Sequence, residues 1–223
     1  MNYLLLFLAV VVGYIIALIV NEKKHNFLPI LLAFSGAFLL SITIFELLPE
    51  VFEDGSGTIP VYIILGILLQ IILEFFSKGA EHGHVHLHPQ EAVFPWLLFI
   101  SLSIHALFEG FPVSEENNLL IGVIVHKIPI VLILTLFFIK ANYNKLLTIV
   151  FLLLFAIMSP VGTLLAHSEI AFFHSYRLEI TALTIGILFH VSSTILFESS
   201  RDLKFNISKM SAVIVGMVLA YFL

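Results

Sequence analysis

The sequence predicts an all-α, polytopic membrane protein built from eight transmembrane helices. Of the 223 residues, 60% are hydrophobic and only 11% are charged, and the apolar residues fall into long segments joined by polar connections. A soluble domain does not have this balance, whereas about 20 apolar residues are the length that spans a bilayer as a helix. The chain contains no cysteine, which excludes thiolate metal sites, disulfides and thiol redox chemistry.

Each apolar segment is near the length of one membrane crossing, and we number the predicted helices 1 to 8. They cover about 3–20, 29–51, 60–77, 94–112, 118–139, 144–167, 178–198 and 208–223. The first segment has no basic preceding region and no small-residue cleavage site, so we expect a retained helix rather than a signal peptide. Because only the connection at 78–93 is long, residues 1–223 are expected to form a single transmembrane domain.

Charges are distributed unevenly over the connections, which predicts an orientation. The basic residues near connections 1–2, 3–4, 5–6 and 7–8 are Lys23, Lys24, Lys78, Lys140, Lys145, Arg201, Lys204 and Lys209. The other connections are acidic and contain only Arg177 as a basic residue. Cytoplasmic loops are enriched in lysine and arginine, so these four connections are predicted to be cytoplasmic. The chain is then expected to lie in the cell membrane (plasma or inner), with both termini on the outside.

Helices 4 and 5 carry ionisable residues within otherwise apolar sequence, where a charged group is costly. His105 lies roughly ten residues before the turn at 114–117 and His126 roughly ten residues after it, so both are predicted near the bilayer midplane. Glu109 lies one turn from His105 on the same helix face. Two imidazoles and a carboxylate at one depth are a suitable ligand set for Zn²⁺. The alternative is that they pair with one another or with backbone carbonyls.

Two prolines lie inside predicted helices 5 and 6. Pro129 and Pro160 each remove one backbone hydrogen bond, which frees the carbonyls of Val125 and Ala156. Interrupted helices near the midplane are common at transporter substrate sites, where the free carbonyls line a protected cavity. The alternative for either proline is an ordinary kink.

Other polar residues indicate a route through the bundle. Glu46, near the outer end of helix 2, would help to attract cations to an acidic outer mouth, although acidic outer loops also arise because lysine and arginine are excluded there. His190, midway along helix 7, could line the inner half of a pathway, with Glu198 near the cytoplasmic exit. A structural histidine is the alternative for His190. Glu74 in helix 3 is expected to be a packing or interfacial carboxylate.

The long connection at 78–93 is rich in histidine. Its sequence, KGAEHGHVHLHPQEAV, places His82, His84, His86 and His88 at alternate positions. In an extended chain this spacing puts all four imidazoles on one side, where they can share a metal ion. We expect an auxiliary metal-binding loop in the cytoplasm, and the alternative is a solvated tether.

Several of these segments form a recognisable set. HALFEG in helix 4 and HKIP in helix 5 stand as a pair, IFELLPE (44–50) ends helix 2, and SPVG (159–162) lies in helix 6. Together with eight helices, both ends outside and a histidine-bearing 3–4 connection, they resemble the ZIP (ZRT/IRT-like) metal transporters over nearly the whole chain. The resemblance implies that His105, Glu109 and His126 are the transport-site ligands, with Ser159 nearby. Glu46 stands where the family usually has a histidine.

The resemblance also indicates how many metal ions the centre holds. Family members with a two-metal site have further donors where this chain has Ala106 and Ile130. Lys127 follows the helix-5 histidine, a pattern closest to the family's single-metal branch. A protonated Lys127 would repel a second cation and could balance the charge of Glu109 when the site is empty.

The family's architecture is a three-two-three inverted repeat. It would pair helix 2 with helix 7, where SITI (41–44) corresponds to SSTI (192–195), and helix 4 with helix 5, where IHALFE corresponds to VHKIPI. The two histidines are then in register. Transporters commonly bind substrate where inverted halves meet.

We therefore expect inward transport of a divalent transition metal, zinc first and iron or manganese as options, with the metal as substrate and no enzymatic cofactor. The alternatives are a membrane-embedded zinc hydrolase and a non-transporting metal-binding protein. A hydrolase is not favoured, because the chain has no HExxH motif and both aspartates, Asp54 and Asp202, lie in connections. The expected partners are divalent cations, the lipid bilayer and, as an option, a second copy of the chain; no nucleic acid is expected.

Overall fold

The computed structural model describes residues 2–20, 27–53, 57–77, 95–114, 117–198 and 207–223, and within them it contains helices and short turns but no strand. The long helices are α1 (Asn2–Ile19), α2 (Leu28–Glu53), α3 (Ile59–Ser77), α4 (Trp96–Gly110), α5 (Leu119–Lys140), α6 (Lys145–Ala166), α7 (Arg177–Glu198) and α8 (Ile207–Tyr221). A single-turn helix, Ala171–Ser175, lies between α6 and α7.

Six helices of the described part, α1, α2, α3, α5, α6 and α7, are long and apolar enough to cross a membrane. The chain is thus an all-helical, polytopic integral membrane protein, as its composition predicts. The helices α4 and α8 are apolar but have 15 residues each. That length is about 22 Å of helix, against roughly 30 Å of hydrocarbon core. The expected total of eight crossings therefore stays a prediction.

Prolines account for the ends of α4. The helix begins directly after Pro95, although the predicted segment was 94–112. At its other end the chain turns at Phe111 and Pro112. Pro112 has no backbone N–H with which to continue the helical ladder.

The helix α2 contains a π-helical turn, Thr43–Leu47, between two α-helical stretches. Pro49 follows two residues later and cannot donate the usual hydrogen bond to the carbonyl of Phe45. The wider turn lets the helix pass this point, and turns of this kind are frequent at functional sites. Glu46 lies within it.

Pro129 and Pro160 lie inside α5 and α6, and both helices continue through them. Neither proline therefore coincides with an unwound segment. Each proline still leaves one carbonyl without its usual helical donor.

Close helix contacts depend on glycine. A Cβ on Gly66 of α3 would overlap the backbone carbonyl of Leu183 on α7. A Cβ on Gly162 of α6 would likewise overlap the carbonyl of Leu107 on α4. Small residues at such positions let helix backbones approach each other in membrane proteins.

Two apolar clusters fill the bundle. The turn-side cluster includes Val113, Leu119 and Val123, next to the turn between α4 and α5. The far-side cluster includes Leu102 and Ile130. Along α5, His126 and Lys127 fall between Val123 of the turn-side cluster and Ile130 of the far-side cluster. Glu109 lies between Ala106 of the far-side cluster and Val113 of the turn-side cluster. The fold thus places these polar residues where the two apolar clusters meet.

The start of α1 lies at the same end of the bundle as the α4–α5 turn. Nδ2 of Asn2 donates a hydrogen bond of 3.3 Å to the backbone carbonyl of Ser114 in that turn. At this end, Asn118 at the start of α5 also contacts Glu46 of α2. These contacts place the start of α1, the later part of α2, the end of α4 and the start of α5 at one end of the bundle.

Candidate metal centre

Two histidines face each other across α4 and α5. The ring centroids of His105 and His126 are 6.3 Å apart, and the ring planes are inclined at 67°. Both side chains are buried. The sequence predicted that they lie at matched depth, and the structure brings them together.

Glu109 completes a group of three possible ligands. One donor atom from each of His105, Glu109 and His126 lies within 4.8 Å of the other two, and all three residues are buried. Donors bound to a tetrahedral Zn²⁺ at about 2.0–2.1 Å are about 3.4 Å apart, so binding would draw the widest pair together by roughly 1.4 Å. Side-chain rotation can supply a movement of that size. Within the described residues, these three side chains are the histidines and acids that lie close enough together to share a cation.

Lys127 forms an ion pair with the carboxylate of this group. Its Nζ lies 2.8 Å from Oε2 of Glu109, and the two side chains are 1% and 2% exposed. The same ammonium lies 4.9 Å from the ring centroid of Phe155, a cation–π distance. The other oxygen, Oε1 of Glu109, is buried and has no hydrogen-bond partner within the described part of the chain. This is the contact that the charge-balance hypothesis requires.

The group lines one small cavity with mostly apolar walls. Leu102, Ile130 and Phe155 line it together with the two histidines and the Glu109–Lys127 pair. Attraction between charges is stronger where water is excluded. A cation that enters would meet two imidazoles and a carboxylate whose charge Lys127 already balances.

Ser159 lies beside the site, but its hydroxyl is used elsewhere. Its Oγ donates a 2.8 Å hydrogen bond to the backbone carbonyl of Ala106, the residue after His105. One turn later on α6, Oγ1 of Thr163 donates a 2.7 Å hydrogen bond to the carbonyl of Gly110. Both hydroxyls fix α6 against α4. A ligand role for Ser159 stays a prediction.

Sequence reasoning missed one residue of the site, Gln70. Its Oε1 lies 3.1 Å from Nδ1 of His105, and the side chain is fully buried on α3. The sequence did contain a sign of this role, because Gln70 is an amide within an otherwise apolar helix. It also lies four residues before Glu74, which places both residues on the same helix face.

The pathway residues predicted on the inner side are only partly described. His190 of α7 lies near Glu74 of α3, with Nδ1 and Oε2 3.4 Å apart and the side chains 18% and 25% exposed. The expectation that Glu74 only packs or lies at the interface thus overlooked an ionisable neighbour. The side chain of Glu198 lies outside the described residues. So do His82, His84, His86 and His88 of the loop.

At the opposite end, Glu46 caps the start of α5. Its carboxylate oxygens accept hydrogen bonds of 2.7 Å from the backbone N–H of Asn118 and 2.9 Å from Nδ2 of the same residue. Negative charge at a helix N-terminus is stabilising. Glu46 therefore ties α2 to the helix that carries His126 and Lys127.

Comparison with known proteins gives several relatives, although no protein-family model matches the chain. It is 35% identical over 108 residues to protein zntD of Dictyostelium discoideum, covering 40% of this chain and 16% of that protein. It is 32% identical over 90 residues to zinc transporter ZIP1 of Danio rerio, covering 38% of this chain and 30% of that protein. With zinc transporter ZIP1 of Plasmodium falciparum, 85% of this chain and 74% of that protein align at 23% identity. The chain thus spans less than a third of the first two relatives.

Proposed function

We propose that the chain, which is similar over part of its length to zinc transporters named ZIP1 and to protein zntD, is a member of the ZIP family of metal transporters. On this premise it carries a divalent transition-metal cation, zinc before iron or manganese, across the membrane. The observation that carries the proposal is the convergence of His105, Glu109 and His126 in a buried layer of a membrane-length bundle. The named relatives are zinc transporters, which favours transport over the hydrolase considered from the sequence.

The proposed site holds one metal ion. Ala106 and Ile130 border the centre, are buried, and have apolar side chains without a donor atom. Lys127 contributes a positive charge at hydrogen-bonding distance from Glu109. A dication binding there would compete with the ammonium for the carboxylate, and Phe155 offers the displaced ammonium a cation–π contact.

We propose inward movement, with both termini and the α4–α5 turn outside and the plasma membrane as location. The uneven distribution of lysine and arginine supports this orientation. The contact between Asn2 and Ser114 supports placing the start of α1 and the α4–α5 turn on one side. Glu46 would lie near the entrance, and His190 with Glu74 further toward the exit.

Helix contacts support the proposed three-two-three inverted repeat. A Cβ on Gly13 of α1 would come within 3.0 Å of the carbonyl of Ile128, two residues after His126. Gly162 of α6 stands in the same relation to Leu107, two residues after His105. The pairs α1–α5 and α6–α4 therefore correspond when the two histidines are aligned. The contacts of α2 with α8 and of α7 with α3 form a second corresponding pair.

Uptake into proteoliposomes tests the function. Purified protein should accumulate Zn²⁺, and competition by Fe²⁺, Mn²⁺ and Cd²⁺ would rank the substrates. His105→Ala and His126→Ala should each abolish most uptake, because so small a ligand set cannot lose a member. His167→Ala is the matched control, since among the described residues the hydrogen-bond partner of Nδ1 of His167 is the backbone carbonyl of Thr163 at the end of α6. Near-native uptake by the His105 and His126 variants would place the transport site elsewhere.

A further inference from the structure

The buried amide of Gln70 reaches the candidate metal centre from a helix that contributes no ligand. Gln70 is fully buried, although its neighbours Leu68, Ile71 and Ile72 on α3 are exposed on the outside of the bundle. Burying an amide costs free energy unless it forms hydrogen bonds. Its Oε1 lies 3.1 Å from Nδ1 of His105. One nitrogen of the His105 ring, Nδ1, is therefore in contact with α3.

This contact selects a tautomer of His105. A neutral imidazole carries a proton on one nitrogen and a lone pair on the other. Because an amide oxygen only accepts hydrogen bonds, the contact with Oε1 places the proton on Nδ1. The lone pair then lies on Nε2, and a nitrogen must be unprotonated to bind a metal. The partner of one ring nitrogen thus determines whether the other can be a ligand.

The backbone around Gln70 has little freedom to move. Gly66, one turn earlier on α3, lies directly against the backbone of Leu183 on α7. The helix α3 also packs against α4, which carries His105. The amide is therefore presented to the imidazole by a helix fixed from two sides.

We propose that Gln70 is a positioning residue of the metal site: its amide oxygen holds His105 with the proton on Nδ1 and so keeps Nε2 available for a divalent cation. The proposal rests on the proposed function, because it takes His105 as a ligand. A glutamine can also present its NH₂ group, which would bind the opposite tautomer of His105 and leave Nε2 protonated. A carboxylate has only acceptor oxygens, so it can bind only the tautomer with the proton on Nδ1.

The difference between amide and carboxylate defines the test. Zn²⁺ affinity is measured by titration calorimetry on the purified protein in detergent, with His82, His84, His86 and His88 replaced by alanine so that the loop does not contribute. Gln70→Met has similar length but cannot accept the hydrogen bond, and it should weaken Zn²⁺ binding by about 10- to 100-fold. Gln70→Glu keeps the acceptor and should retain most of the affinity. Ser77→Ala, which removes a buried hydroxyl of α3 whose hydrogen bond is internal to the helix, should not change the affinity.

A second measurement addresses the tautomer itself. The ¹⁵N resonances of the His105 ring, assigned by comparison with His105→Ala, should show a protonated Nδ1 in the unsubstituted protein. The role is wrong if Nε2 carries the proton there, or if Gln70→Met binds Zn²⁺ as tightly as the unsubstituted protein. It is also wrong if Gln70→Glu loses as much affinity as Gln70→Met.

Binding and uptake together separate this proposal from the proposed function. Zn²⁺ that binds with the expected dependence on Gln70, but is not carried into proteoliposomes, would leave the positioning role standing and remove transport. Uptake that requires His105 and His126 but is unchanged by Gln70→Met would support transport and remove the positioning role.

Discussion

The ammonium of Lys127 and the carboxylate of Glu109 lie 2.8 Å apart and are almost completely buried. Two charges removed from water are each costly, and only their mutual attraction and further hydrogen bonds offset that cost. Removing one partner of such a pair leaves the other charge buried and uncompensated. The pair therefore affects both the stability of the metal-free protein and the affinity for a cation.

Lys127→Met should separate these two effects. Without the ammonium, Glu109 is unpaired, and the metal-free protein should lose about 3–5 kcal/mol of stability, as when one partner of a buried pair is deleted. Zn²⁺ no longer competes with an ammonium, so it should bind more tightly and raise the thermal unfolding temperature by more than it does in the unsubstituted protein. Thermal unfolding in detergent, with and without Zn²⁺, measures both. Equal behaviour of the variant and the parent would show that Lys127 does not balance Glu109.

For individual residues, the sequence predicted contacts correctly where the residues share a helix face or lie at a depth that loop length determines. His105 and Glu109 are four residues apart, and the short α4–α5 turn places His126 at their level, so their convergence could be predicted. Gln70 was missed because its distance along the chain from His105, 35 residues, crosses the long 78–93 connection. Sequence spacing alone does not show which face of α3 meets α4. The proximity of Glu74 to His190 was missed for the same reason.

The element that holds the centre in place is the contact between α4 and α6. Ser159 and Thr163 donate to α4 carbonyls, and Gly162 between them allows the two backbones to approach. Each hydroxyl is worth about 1 kcal/mol as a hydrogen bond. The close approach of the helices is what brings both within reach of their acceptors.

Gly162→Ala should therefore be destabilising. Its Cβ would overlap the carbonyl of Leu107, and the helices would have to separate at a typical overpacking cost of about 1–3 kcal/mol. Thermal unfolding in detergent should show this loss, with a matching fall in Zn²⁺ uptake because His105 lies in the displaced segment. Gly57→Ala is the control, since a Cβ there would meet no atom within 4 Å. An unaffected Gly162→Ala protein would contradict the tight contact.

Helix positions were largely predictable, and their irregularities were not. Hydropathy locates apolar segments, but the π-turn at Thr43–Leu47 depends on how the helix passes Pro49 and on the contact between Glu46 and Asn118. Similarly, 94–112 is apolar throughout, yet α4 ends at Gly110 because Pro112 cannot continue the ladder. Backbone hydrogen bonding decides such points, and hydropathy does not report it.

For the whole molecule, the distribution of lysine and arginine predicts an orientation that labelling can test. The chain has no cysteine, so a single introduced cysteine can be labelled without background. Glu169→Cys, in the exposed connection between α6 and α7, should react with a membrane-impermeant maleimide on intact cells. Lys145→Cys, exposed at the start of α6, should react only after the cells are opened. The opposite pattern would reverse the proposed direction of transport.

The position of the centre has an electrical consequence. The centre lies where the turn-side and far-side clusters meet, and both clusters are apolar and buried. A membrane potential falls mainly across such ion-free material. At the midplane depth that the sequence predicts, a dication reaching the centre from one side would cross about half of the field. At about 2.3 kcal/mol per elementary charge per 100 mV, two charges over half the field correspond to about 2.3 kcal/mol. That energy changes occupancy by about 50-fold. The resting voltage of a cell would thus set how often the site is filled from outside.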